Sequence, residues 1–84
     1  MNKSIKETIR EAGKKTFYEM EKHSQFVIDF IEDLEELEEE DFENSENRGA
    51  LIYDIDNILE IIDSKRIEDI KVLSEIKLAL RRGI

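Results

Sequence analysis

The stretch LEELEEEDFEN, residues 34–44, places Glu35, Glu36, Glu38, Glu39, Glu40, Asp41 and Glu43 around a lone Phe42. So dense a set of carboxylates has three chemistries open to it: acid–base catalysis, cation binding and electrostatic recognition. Acid–base work needs surroundings that push the pKa values of two carboxyl groups apart, and an exposed helix end offers none. A calcium loop needs alternating oxygen ligands, a glycine at its sixth position and a glutamate at its twelfth. No segment fits, and DIDNILE at 54–60 has the wrong spacing and reads as helix. A carboxylate-bridged metal pair needs Glu-x-x-His motifs on two helices. Glu19 and His23 lie one turn apart, but the chain holds no second histidine, so His23 reads as a residue of the core edge.

Nucleophilic chemistry is equally poorly served. There is no cysteine, no serine stands in a glycine-rich strained turn, and no glycine pattern could cradle a phosphate. The expectation is a protein that is not an enzyme and carries no catalytic, cofactor or metal site. Electrostatic recognition remains. A helix through the acidic run carries one charge per roughly 2 Å of axis, close to the roughly 1.7 Å per phosphate of duplex DNA. A basic nucleic-acid-binding groove would accept such a surface, with Phe42 as an aromatic anchor inside it. The competing reading is a solvated helix end whose Phe42 folds back to close the bundle.

The charge distribution favours a basic protein as partner. The net charge is −9, and charged residues make up 42% of the chain, well above the usual quarter. Residues 1–22 carry six basic and four acidic groups, residues 23–63 one basic and 15 acidic, and residues 64–84 six basic and three acidic. Nucleic acid and anionic membrane would both repel the middle segment, so neither is expected as a direct ligand. Lys3, Lys6, Arg10 and Lys14 follow one side of the first helix and Arg81 and Arg82 close the last. They are expected to pair with acids of a neighbouring helix or chain. The excess of isoleucine (13 residues) over leucine (seven) fits a low-GC bacterial or phage origin. No stretch approaches the roughly 20 apolar residues of a membrane span and the N-terminus lacks the apolar core of a secretion signal, so a cytoplasmic location is expected.

Helices must position these groups. The chain has no proline, and its apolar fraction of 39% suits one folded domain over residues 1–84. Ser4 and Glu7 form a capping-box pattern that starts a helix near Ser4. Its core positions run Ile5, Ile9, Ala12, Thr16, Met20, His23, Val27, Phe30, Leu34 and Leu37. This pattern predicts a long helix to about residue 40, bent near Gly13 or residues 23–25, where Ser24 is placed to cap a new helix. DFENSENRG, residues 41–49, reads as the one clear loop. Leu51, Ile55, Ile58 and Ile62 then mark an amphipathic helix, and Asp63 or Ser64 caps the last one, which ends at Arg81, Arg82 and Gly83.

The predicted fold is all-α: a long N-terminal helix packed on a C-terminal antiparallel helical hairpin, as a three- or four-helix bundle. Residues 67–80 are apolar over most of the helix circumference and must be covered on more than one side. That surplus predicts a homodimer. The expected function is a small acidic antagonist that occupies the basic surface of a nucleic-acid-binding protein. The alternative is an oligomerisation or regulatory module, such as an immunity protein, antitoxin or assembly adaptor, working through apolar helix faces and Ile61.

Overall fold

A computed structural model describes residues 4–83. Helices α1 (Ile5–Tyr18), α2 (Gln25–Glu35), α3 (Glu39–Glu43), α4 (Ser45–Ile61) and α5 (Ile67–Arg82) follow one another, with a 3-10 turn over Met20–Lys22, and no strand occurs among the described residues. Lys3, the first cation of the N-terminal stripe, lies outside them. The all-helical class holds.

α1 starts at Ser4 as expected, and the serine half of the capping box is in place: the Ser4 hydroxyl accepts the Glu7 backbone N–H at 3.1 Å. Ile5, Ile9, Ala12 and Thr16 then face the core. The long first helix does not exist, however. After Tyr18 the chain tightens into a 3-10 turn, with Lys22 N–H donating to Glu19 O and His23 N–H to Met20 O. It then runs extended through His23 and Ser24 before α2 begins. The cause is polar: a histidine on the core face needs a partner, and the extended backbone at His23 turns its ring inward to find one. Met20, expected in the core, is consequently 48% exposed. Of the two sites proposed for a bend, Gly13 stays within α1 and residues 23–25 mark the break.

Residues 41–49 also differ from expectation. They hold the end of α3 and the first turn of α4. The Asn44 side chain accepts from the backbone N–H groups of Glu46 and Asn47 at 2.8 and 3.3 Å. The Asn, Ser and Gly that read as a loop are thus a helix start, where short polar side chains satisfy free N–H groups. Gly49 is an interior residue of α4, and a Cβ built there meets nothing within 4 Å. Gly49→Ala is therefore expected to stabilise the protein by about 1 kcal/mol, since glycine costs roughly that much in an exposed helix interior. A rise in the urea midpoint at unchanged slope checks this.

α4 and α5 form the antiparallel hairpin, with Lys77 Nζ reaching Asp56 Oδ1 at 2.5 Å. Neither Asp63 nor Ser64 caps α5, whose N-cap is Arg66; Asp63 instead accepts from Lys65 N–H within the turn. Gly83 closes α5 with a φ of 79°, a conformation that favours glycine. α5 packs against α4 on one side and α1 on another, and α1 also packs on α2. Val72, Leu73, Ile76, Ala79 and Leu80 are buried between these partners. Most of the apolar surplus of residues 67–80 is thus covered within the chain, leaving Ile67 and Leu78 exposed. No helix of the described residues is long and apolar enough to cross a membrane.

Candidate functional site

The acidic run is divided over three segments. Glu35 ends α2, Glu36 to Glu38 form the connection, and Glu39 to Glu43 are α3. The run is therefore not the frayed end of one helix. Glu39, Glu40 and Asp41 stand in the first turn of α3, where the positive end of the helix dipole favours carboxylates. Asp41 reaches back to accept the Glu38 backbone N–H at 2.8 Å. A single straight ladder of charges at phosphate spacing does not form, because the backbone changes direction between α2 and α3.

Among the described residues two cations reach this region, and both hold main chain. Lys6 Nζ donates to the carbonyl oxygens of Glu35, at 3.0 Å, and Leu37, past the end of α2. Arg48 Nη1 donates to the carbonyls of Phe42, at 2.6 Å, and Glu43, at 3.0 Å, where α3 ends. Each cation satisfies free carbonyls at the negative end of a helix. Among the described residues, no carboxylate between Asp29 and Glu46 forms a salt bridge. Glu35, Glu36, Glu38, Glu39, Glu40 and Glu43 are all exposed, and Asp41 is half-buried.

Phe42 is separate from this surface. At 2% exposure it belongs to the core cluster with Leu34, Ile55 and Leu80. The aromatic ring closes the bundle instead of presenting itself as an anchor.

A second polar cluster joins the break after α1 to α5. Asp69 and His23 side chains are fully buried, with His23 Nδ1 2.8 Å from Asp69 Oδ1. Asp69 Oδ2 accepts the Ser24 hydroxyl at 2.9 Å, the Ser24 backbone N–H at 3.1 Å and Arg66 Nε at 3.3 Å. Burial pushes the Asp69 carboxyl up, but the hydrogen bonds from His23 and from Ser24 outweigh it and hold the group below the usual aspartate range. Ser24 is the N-cap of α2 by position, yet its hydroxyl serves Asp69. His23 Nε2 has no hydrogen-bond partner among the described residues.

Glu19 and His23, one turn apart in sequence, do not converge. Glu19 bonds Lys22 at 3.1 Å, which holds its carboxyl below the usual range, while His23 bonds Asp69. Among the described residues no three His, Asp or Glu side chains converge to hold a metal.

Sequence reasoning passed over Asp69, although its spacing marks it. It precedes Val72, Leu73 and Ile76 by three, four and seven residues, so it shares their face and must be buried with them. It also passed over Phe17 and Tyr18, which follow core-facing Thr16 and turn outward, packed edge to face with ring centroids 5.5 Å apart. No family model matches the chain, and no curated protein or solved structure resembles it.

Proposed function

We propose that this protein is a small acidic helical module that occupies the basic surface of a nucleic-acid-binding protein. The observation that carries this reading is the engagement of Lys6 and Arg48 with backbone carbonyls, which leaves the carboxylates around them without ion pairs. Lys6 and Arg48 keep their charge, but the seven carboxylates from Glu35 to Glu43 outnumber them and leave a net negative field for an incoming partner. Glu35, Glu36, Glu38, Glu39, Glu40 and Glu43 supply that field, and Asp41 holds the start of α3.

The test neutralises four exposed carboxylates, Glu36→Gln, Glu39→Gln, Glu40→Gln and Glu43→Gln, and spares Asp41. Wild type and variant are immobilised and exposed to a nuclease-treated lysate of a low-GC bacterium, and captured proteins are identified by mass spectrometry. The expected result is a basic nucleic-acid-binding protein held by wild type, displaced by added duplex DNA or by high salt, and bound at least about tenfold more weakly by the variant. Equal affinity of wild type and variant for the captured protein sinks the reading.

A second reading, an oligomerisation module, is favoured by Ile61 at 75% and Ile67 at 59% exposure, on either side of the α4–α5 turn. It includes the homodimer. Self-association that survives high salt and is lost on Ile61→Lys supports it.

A further inference from the structure

The aromatic patch after Thr16 borders a groove of about 440 Å³ between α1, the 3-10 turn and α2. Its apolar lining comes from Phe17, Tyr18, Met20 and Ile28. Phe17 is 69%, Tyr18 78% and Met20 48% exposed, a concentration of large apolar surface unusual for the outside of a folded domain. The opposite wall bears Glu32 and Glu35. Gly13 makes the second of these possible: a Cβ there would lie 1.7 Å from Glu35 Oε1, so only glycine lets that carboxylate rest against the α1 backbone. Among the described residues Lys14 is the one cation in the lining.

Charge decides which occupant suits the groove. α2 lines the groove with Glu32 and Glu35, carries Asp29 and Asp33 elsewhere on its surface and has no basic residue, and the connection after it continues with Glu36 and Glu38. A second copy docked with the two α2 helices facing each other would bring two such faces together and be repelled. A segment with basic residues flanking large apolar ones is drawn by the same charges and gives its apolar side chains a floor.

We propose that this groove is the anchor site for the basic partner: a basic amphipathic helix of that protein lays its apolar side chains between Phe17, Tyr18, Met20 and Ile28, with its cations against Glu32 and Glu35. The inference rests on the acidic-module reading, since it names where that partner is held. It also moves the aromatic anchor from buried Phe42 to the start of the acidic face, where Glu35 belongs to both groove and run.

Two synthetic peptides test it: an amphipathic helix of Lys and Leu, and a control of equal charge in which every Leu is Ser. Each is titrated against the 15N-labelled full chain and against Phe17→Ser/Met20→Ser, two exposed positions whose replacement leaves the core intact. The Lys/Leu peptide is expected to shift the amides of residues 16–20, 28 and 32, and to lose at least about tenfold in affinity on the double substitution. The Lys/Ser control is expected to bind more weakly and to be indifferent to that substitution. Equal affinities for the two peptides, or shifts confined to residues 36–46, overturn the groove while leaving the acidic-run reading standing. Groove binding that persists undiminished in the four-site Gln variant upholds the groove and counts against the run. Concentration-dependent dimerisation of wild type that vanishes in Phe17→Ser/Met20→Ser makes a second copy the occupant and overturns the proposal.

Discussion

Asp69→Ala is expected to destabilise the protein by about 3 kcal/mol, because it strands buried His23 Nδ1 without its partner and takes the acceptor from the half-buried Ser24 hydroxyl and N–H. For a chain of this length that corresponds to a fall in Tm of more than about 10 °C. Asp69→Asn keeps the size and one acceptor, and adds a pH signature. The folded-state carboxyl is held below its ordinary value. Its stabilising contribution is therefore complete above that value, near pH 4, and fades as the pH drops through the depressed one. The wild type should exceed Asp69→Asn in stability at pH 7, and the gap should narrow below about pH 4. Comparing the two proteins cancels the contribution of the many other carboxylates, which both share. Urea unfolding of both at pH 7 and pH 3 provides the check. A gap of equal size at both pH values would show that Asp69 acts by shape and not by charge.

Phe42→Ala should cost roughly 3–5 kcal/mol, the usual loss for truncating a buried phenylalanine. The effect follows from the shortness of α3. Five residues cannot sustain a helix in water, so α3 persists because Phe42 is set in the core and Arg48 holds its last carbonyls. The substitution should lower the unfolding midpoint sharply. At a temperature where the variant is still folded, partner affinity should change far less than in the four-site Gln variant. A fall in affinity at unchanged stability would return Phe42 to the role of an exposed anchor.

These two residues also show what the sequence made legible. The apolar period identified the core of α1, and the hairpin of α4 and α5 followed from the spacing of Leu51, Ile55 and Ile58 and the end signal at Gly83. A bend at residues 23–25 and a new helix after Ser24 were legible, but the loss of α-helix already from residue 19 was not, because the apolar pattern runs through it: Met20 sits at a permitted core spacing. What interrupts the helix is the pairing of His23 with a residue 46 positions away, which no local rule reports. The Asn, Ser and Gly of residues 44–49 favour helix starts and loops alike, and only the bonds accepted by Asn44 distinguish the two. The acidic run was visible as composition, but its division over α2, the connection and α3 was not. Its electrostatics changed accordingly, since Glu39, Glu40 and Asp41 begin a helix, at the favourable end of its dipole, instead of ending one long helix.

The bond from Ser24 to Asp69 has a consequence for how the chain comes apart. α2 has no side-chain cap of its own, and the carboxylate that receives the N–H and hydroxyl of its N-cap residue, Ser24, belongs to α5. A segment spanning residues 24–36 on its own is too short to hold a helix and lacks that acceptor. Detaching α5 thus removes the start of α2 as well as the cover of the core. The two helices should open as one cooperative unit despite their distance in sequence, and native-state hydrogen exchange should assign the amides of residues 28–35 and 72–80 the same free energy of opening.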